Sequence, residues 1–357
     1  ISQLLNIKIN KSKSIEDKKI FHDILDSLNL RISKEINDAR DEIFMLNSQE
    51  LNWLRRYPDD KWVEYLVYRY KFRLFPKRKI LTNFPPYLLI EPTSVCNLRC
   101  IMCFQVDTSF TKKKYMGMMP WDIFTKAVDE ASEKGCKAIT LASRGEPTLH
   151  PKLPKMIKYI SDKGILDLKI NTNATKLNDK LSYAILENNV SELVFSVDAG
   201  TKETYEQIRV LGKFDKVLNN IKNFNKIRSN YFKKSACITR ISGVKVKKEQ
   251  NIDQMVSFWE KYVDEVSIKP ATPRWDSYNN KPIKITKSCN QLWERMYVWY
   301  DGKINPCDFD YKSFLSVGNI KNNSLEEIWN SNEYNSLRKK HIEKKRSDCF
   351  PCDRCPL

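Results

Sequence analysis

The chain has 357 residues, 41% of them hydrophobic, with 62 Lys and Arg against 44 Asp and Glu for a net charge of +18. That length fits two to three domains, and the apolar content is enough for a buried core, which excludes a disordered chain. No run approaches the roughly 20 apolar residues that cross a bilayer. The start Ile1-Ser2-Gln3 shows no basic-then-apolar export segment, so a cytoplasmic location is expected. The charge favours anionic partners (nucleic acid, a phosphorylated metabolite or an acidic membrane surface) or describes only a lysine-rich solvated surface.

Residues 1–84 read as a helical, charged region. Ser14 to Leu30 sets Ile15, Ile20, Phe21, Ile24, Leu25 and Leu28 near helical spacing, and a second periodic run covers Ile32 to Leu46. The stretch Lys71 to Lys79 interleaves cations with Phe72 and Phe75. Such a run suits a membrane surface or nucleic acid, or else a connector with its rings packed inward. Pro85-Pro86 closes this region.

From residue 85 to 275, short apolar runs alternate with amphipathic ones. Strands are expected at Tyr87–Glu91, Ala138–Ala142, Asp167–Asn171, Glu192–Asp198, Ala236–Val246 and Val263–Lys269. Helices are expected near 121–134, 154–163, 177–188, 213–229 and 250–262. Six strands separated by helices imply a parallel α/β sheet of right-handed crossovers, open or barrel-like. Residues 276–357 form a smaller cysteine-bearing module in which this alternation stops.

Ten cysteines in a chain without an export signal read as metal ligands or reactive thiols more than as disulfides. Cys96, Cys100 and Cys103 lie within eight residues directly after the first expected strand. Thiolates suit zinc or iron–sulfur clusters, but structural zinc wants four ligands. No fourth cysteine or histidine is near, the only histidines being His22, His150 and His341. Three thiolates on a compact loop suit a [4Fe–4S] cubane with one iron left open.

The run Cys96-Asn97-Leu98-Arg99-Cys100-Ile101-Met102-Cys103 resembles the cluster loop of radical S-adenosylmethionine (SAM) enzymes. The resemblance implies a partial (β/α)6 barrel in which SAM chelates the open iron and is cleaved by one electron to a 5′-deoxyadenosyl radical that abstracts a substrate hydrogen. An external one-electron reductant such as flavodoxin or ferredoxin is implied as well. Met102 departs from the aromatic residue many members carry there, and Phe104 is the candidate ring on the other side. Gly145-Glu146-Pro147, after the second strand, resembles the segment that holds the SAM amino group, although Arg144 stands where the family typically has glycine. Asn171 and Asn173 close the third strand and Ser196 and Asp198 the fourth, resembling polar positions that approach SAM. Lys269-Pro270 ends the sixth. All these segments fall at strand C-terminal ends, where a parallel barrel gathers its active site.

Cys289 and Cys307 flank a hairpin, Tyr297–Tyr300 and Lys303–Pro306 around Asp301-Gly302. Cys349, Cys352 and Cys355 follow a helix expected near Ser324–Lys340. Spacing alone leaves zinc and iron–sulfur equal. The segment resembles the SPASM/twitch extension of radical SAM enzymes, which implies an auxiliary [4Fe–4S] cluster. Five cysteines, where the full pattern has seven, imply one such cluster, on Cys289, Cys307, Cys352 and Cys355 with Cys349 as the substitute. Cys136 and Cys237 are expected as packing residues at the opposite end of the barrel.

The expected function is hydrogen abstraction with net oxidation, with Asp276 as a candidate base. The substrate is expected to be a small polar or anionic metabolite such as a sugar or aminocyclitol. A peptide is the alternative, with residues 1–84 as its docking element. A non-catalytic zinc protein that binds nucleic acid is the distant one.

Overall fold

The computed structural model describes residues 1–33, 43–272 and 277–355. The chain opens with four helices, α1 (Ser2–Lys11), α2 (Ile15–Ser33), α3 (Ser48–Arg56) and α4 (Trp62–Arg78). Of the run Ile32–Leu46 read as helical, Ile32 and Ser33 close α2 and residues 44–46 are non-helical, while residues 34–42 lie outside the described residues. A capping box explains the restart. The Asn47 side chain accepts from the Glu50 N–H while the Glu50 carboxylate accepts from the Asn47 N–H.

The basic–aromatic run is the second half of α4 and packs inward. Leu74 and Phe75 are buried, and Arg73 donates to the wholly buried Glu50 at 3.0 Å, beside Arg69 at 2.9 Å. Phe72 meets the ring of Tyr87 at 5.7 Å. The run's rings and Arg73 are thus used by the fold itself, which is the inward-packed alternative, here on a helix rather than a connector.

The core is a sheet of six parallel strands in chain order, β1 (Tyr87–Ile90), β2 (Ala138–Leu141), β3 (Asp167–Thr172), β4 (Glu192–Ser196), β5 (Ile238–Lys245) and β6 (Glu265–Pro270). The connecting helices are α5 (Trp121–Glu133), α6 (Leu153–Asp162), α7 (Asp179–Glu187), α8 (Lys202–Ile208), α9 (Phe214–Tyr231) and α10 (Ile252–Trp259). Alternate strand residues, among them Leu88, Ile90, Ile139, Leu141, Leu168, Ile170, Leu193, Phe195 and Ile241, join the core under these helices. Strand side chains alternate with period two, so the residues between them face the opposite, lumenal side.

The first helices close the N-terminal ends of the strands. Asn52 donates to Glu265 at 2.6 Å and Arg56 to the Cys237 carbonyl at 3.2 Å. Cys136 and Cys237 are buried at this end, and burial pushes both thiols up to about 12.

After the short α11 (Gln291–Glu294), the expected hairpin forms from β7 (Met296–Val298) and β8 (Lys303–Asn305), with β9 (Gly318–Asn319) beyond it. The hairpin also joins the main sheet, which the sequence reading did not address: β7 lies parallel to β1, Leu88 opposite Met296, and extends the same sheet to nine strands. The C-terminal helix is two, α12 (Leu325–Trp329) and α13 (Asn332–Ile342). Among the described residues no helix is long and apolar enough to cross a membrane.

Candidate functional site

The cysteine loop leaves β1 and is fixed by its neighbours on both sides. The Glu146 N–H donates to the Val95 carbonyl at 2.9 Å. The N–H groups of Arg99 and Ile101 donate to the carbonyls of Val210 and Ile208, both at 3.0 Å. Arg99 folds back onto the Cys96 carbonyl at 2.9 Å. Cys100 is buried, and Cys96 and Cys103 are half-buried. Burial, helped by Glu146 and by the other two thiols, pushes Cys96 up to about 12. A grouped, desolvated trio of this kind becomes thiolate only when a cationic centre compensates the charge.

Gly145 is where the β2 loop crosses this one. A Cβ there would lie 2.3 Å from the Thr93 carbonyl oxygen and 2.5 Å from that of Val95, so only glycine lets the two backbones meet. Next to it, Glu146 is buried and accepts from the Thr148 N–H and hydroxyl, the Thr172 hydroxyl at 2.6 Å and the Asn173 N–H at 2.7 Å. Burial still raises its carboxyl. Glu146 therefore ties the end of β3 to the β2 loop, and Pro147 opens the short turn that follows. Asn173 extends the tie, donating to Asn97 within the cysteine loop at 3.1 Å.

Asp198 accepts from Arg209 Nε at 2.6 Å and from the Val244 N–H at 2.8 Å. Arg209 is buried against Cys100; burial opposes its charge, but Asp198 and the thiol outweigh that and hold it protonated. Sequence reasoning missed Arg209, since a lone arginine on a connector carries no pattern. Phe104 is buried and stacks on Tyr311 with ring centroids 4.9 Å apart, in a cluster with Phe110 that packs against Cys103. Asp276 lies outside the described residues.

Arg144, the departure from the family pattern, has its own role. Its Nε and Nη2 grip Glu91 at 2.7 and 2.5 Å, Nη1 donates to the Tyr311 carbonyl at 2.9 Å, and the guanidinium lies 4.2 Å from the Trp299 ring centre. Glu91 also accepts from the Tyr300 N–H at 3.2 Å. This buried pair joins the ends of β1 and β2 to the C-terminal module.

On the lumenal side, Ser196, Ser242 and Ser267 stand opposite one another across β4, β5 and β6. Their strand neighbours Phe195, Ile241 and Ile268 pack under the helices, so the hydroxyls point into the lumen. Ser242 and, two residues beyond Ser267, Lys269 are exposed. The Oδ1 of Asn171 is buried without a hydrogen-bond partner, as are Ser143 Oγ and Gln105 Oε1. Ser143 also holds a φ of +117°, a strained conformation of the kind found at ligand sites. Orphaned polar atoms just past the second strand, on the third and in the cysteine loop suit a ligand rich in donors and acceptors, as SAM is.

The second thiol group surrounds one cavity, lined by Cys289, Cys307, Cys352 and Cys355 with Leu292 and His341 among its walls. Burial raises Cys289, Cys307 and Cys352, and neighbouring thiols add to it. Cys349 does not line the cavity; its Sγ donates to the Lys345 carbonyl at 3.8 Å. His341, also missed from sequence, accepts the Cys289 N–H on Nδ1 at 3.1 Å and has no partner on Nε2. Among the described residues no three Cys, His, Asp or Glu side chains converge as the ligands of a single ion do. Thiols spread around a cavity fit a cluster that offers a separate iron to each.

Comparison with known proteins agrees with this geometry. The radical SAM superfamily pattern matches residues 90–258, and that of the SPASM iron–sulfur cluster-binding domain matches residues 289–356. The two stretches together take in well over half of the chain. The tungsten-containing aldehyde ferredoxin oxidoreductase cofactor-modifying protein of Pyrococcus furiosus is 26% identical over 325 residues, 75% of this chain and 88% of that protein. Among solved structures, Streptococcus suis SuiB bound to precursor peptide SuiA shares the fold with a TM-score of 0.60 at 16% identity, over 94% of this chain and 83% of its own. BtrN in complex with AdoMet and 2-DOIA does so with a TM-score of 0.52 at 17% identity, over 76% of this chain and 93% of its own. The chain belongs to the radical SAM superfamily, with a SPASM domain after its core, and is an enzyme that works with SAM, a SAM-binding [4Fe–4S] cluster and auxiliary iron–sulfur.

Proposed function

We propose that this enzyme oxidises a small, hydroxyl-rich polar metabolite, such as a sugar or aminocyclitol derivative, held in the lumen of its sheet. The observation that carries the reading is the in-register row Ser196, Ser242 and Ser267 with Lys269 beside it. Facing hydroxyls can exchange hydrogen bonds with a polyol, and a lysine at the rim favours an anionic group on it. An apolar peptide side chain would leave these groups unpaired, at a cost of about 1–3 kcal/mol each.

In this reading Cys96, Cys100 and Cys103 hold the SAM cluster. Arg209 offers the buried cation for the SAM carboxylate, while Gly145, Glu146, Pro147, Asn171, Asn173 and Asp198 frame the nucleoside amino acid, and Ser196 stands where SAM and the substrate row meet. Cys289, Cys307, Cys352 and Cys355 hold one auxiliary cluster, and Cys349 packs outside it. When bound, the cluster and SAM supply the hydrogen-abstracting radical chemistry of the superfamily, and the electron enters from a flavodoxin or ferredoxin. Asp276, six residues beyond β6, serves as the base if a proton leaves. The working division is a helical region 1–84, a radical SAM core 85–275 and an auxiliary module 276–357.

Maturation of a peptide has one observation in its favour: the fold shared with SuiB takes in 94% of this chain, against 76% for BtrN. The position of α3 and α4, under the strand N-terminal ends, speaks against those helices delivering a peptide to the thiols. The test is deoxyadenosine formation under SAM and dithionite with a panel of sugar phosphates and aminocyclitols beside a panel of peptides. Stimulation by a polyol, with a product two electrons more oxidised, supports the proposal. Stimulation by peptides alone sinks it.

A further inference from the structure

The cavity framed by Cys289, Cys307, Cys352 and Cys355 carries two nitrogen donors in its wall, His341 and Arg346. His341 is wholly buried and Arg346 is 2% exposed. His341 sits in the last turn of α13, and Arg346 opens the short turn Arg346–Asp348 that leads to Cys349. Both are pinned to the segment that brings in the first thiol. Ser288 Oγ donates to the His341 carbonyl at 2.8 Å, the Cys289 N–H donates to His341 Nδ1 at 3.1 Å, and Arg346 Nη1 donates to the Lys287 carbonyl at 3.2 Å.

These bonds fix the state of the imidazole. Because Nδ1 accepts, it carries no proton, and the ring proton sits on Nε2. Nε2 is therefore a donor, with no lone pair left for a metal. It is nevertheless buried without a partner among the described residues, and so is Arg346 Nε. Buried donors left without an acceptor are rare, and each points to a group that belongs beside it. A thiolate-bound iron–sulfur cluster is such a group, since its sulfurs accept hydrogen bonds and it is negatively charged. Burial raises Cys289 and Cys352 first of all, and the Arg346 charge is among the influences that pull both back. The guanidinium thus already acts on two of the four thiols.

We propose that His341 Nε2–H and Arg346 Nε–H donate to sulfurs of the auxiliary cluster and raise its reduction potential. This rests on the functional reading above, in which the four thiols hold that cluster, and it makes the two residues positioning residues rather than ligands. Hydrogen bonds to cluster sulfurs strengthen when reduction adds negative charge, so they favour the reduced form. A cluster so poised takes up one electron more readily, which net oxidation of a substrate calls for. In the titration below the reductant is oxidised by one electron, the cluster is reduced by one, and no atom is transferred.

The experiment uses the full chain with Cys96, Cys100 and Cys103 replaced by alanine, so that the auxiliary cluster alone is reconstituted. Its potential is measured by anaerobic titration with electron paramagnetic resonance of the reduced cluster. His341→Asn keeps an oxygen where Nδ1 accepts from Cys289 and removes the Nε2 donor. It should shift the reduction equilibrium about tenfold toward the oxidised cluster, a potential about 59 mV lower, with iron and sulfide content kept. Arg346→Met should shift it the same way by at least as much. His341→Gln, which returns an N–H close to the Nε2 position, should recover most of the loss. Electron–nuclear double resonance should show an exchangeable proton coupled to the cluster that His341→Asn lacks. Potentials unchanged in both His341→Asn and Arg346→Met overturn the proposal. Strong nitrogen coupling does so too, since it would make His341 a ligand. Loss of iron from both variants also overturns it, because the residues would then only support the cavity wall. A starting protein that takes up no four-iron cluster overturns the reading of the four thiols itself.

Discussion

Arg144→Ala tests how the C-terminal module is held to the SAM loops. In the parent, Glu91 is fully buried and Arg144 nearly so, joined through two guanidinium contacts at 2.7 and 2.5 Å. Alanine would leave Glu91 with two backbone donors, the N–H groups of Arg144 and Tyr300, each at 3.2 Å. Stranding a buried carboxylate costs roughly 3–5 kcal/mol. The lost bond to the Tyr311 carbonyl and the lost contact with Trp299 add about 1–2 kcal/mol. The sum approaches the whole stability of many domains, about 5–15 kcal/mol. The assay is anaerobic urea unfolding of the holoprotein, with Arg144→Ala, Arg144→Met and Glu91→Gln/Arg144→Met compared. Arg144→Ala should lower the midpoint strongly. The double variant should recover most of the loss, because removing both partners of a buried pair is often nearly neutral. A cost below about 1 kcal/mol for Arg144→Ala would refute the reasoning, and so would a double variant less stable than Arg144→Met alone.

Cys307→Ala should remove one four-iron cluster's worth of iron and sulfide from anaerobically reconstituted protein, whereas Cys349→Ala should keep the full complement; equal losses would mean that Cys349 belongs to the cavity. At low pH, Asp264 is a weak point. Burial works against its charge, but Arg228 and the Thr239 donors prevail and hold the carboxyl at about 2. Its folded value lies below its unfolded one, so its stabilisation is present above about pH 4 and is lost as pH falls toward 2. Asp264→Asn should be less stable than the parent at pH 7 and converge with it in acid-unfolding curves near pH 2; a constant gap would contradict the assignment.

All six parallel strands were legible because each is a short, mostly apolar run bounded by turns, and the five helices expected between them follow from amphipathic spacing. The cysteine trio was legible from its spacing, and the loops at the strand ends from their order in the chain. What escaped is long-range. Nothing local ties Glu91 to Arg144, 53 positions later, or sets Arg209 beside Cys100. The serine row appears only once the strand registers are known, since Ser242 and Ser267 are ordinary strand residues taken singly. The three-residue β7 was read as half of a hairpin, and its pairing with β1 escaped because it is a tertiary choice that no local pattern shows. The capping box at Asn47 and Glu50 was readable, but the apolar spacing across Ile32–Leu46 masked it.

The central claim is that Cys96, Cys100 and Cys103 leave one iron of a cubane open to SAM. Electron–nuclear double resonance on the reduced holoenzyme, with SAM labelled by 15N in the amino group and 17O in the carboxylate, addresses it directly. Strong hyperfine coupling from both labels, lost in Cys100→Ala, is the predicted result. A cluster signal that ignores both labels would mean that the fourth iron is closed by a side chain and would contradict the account.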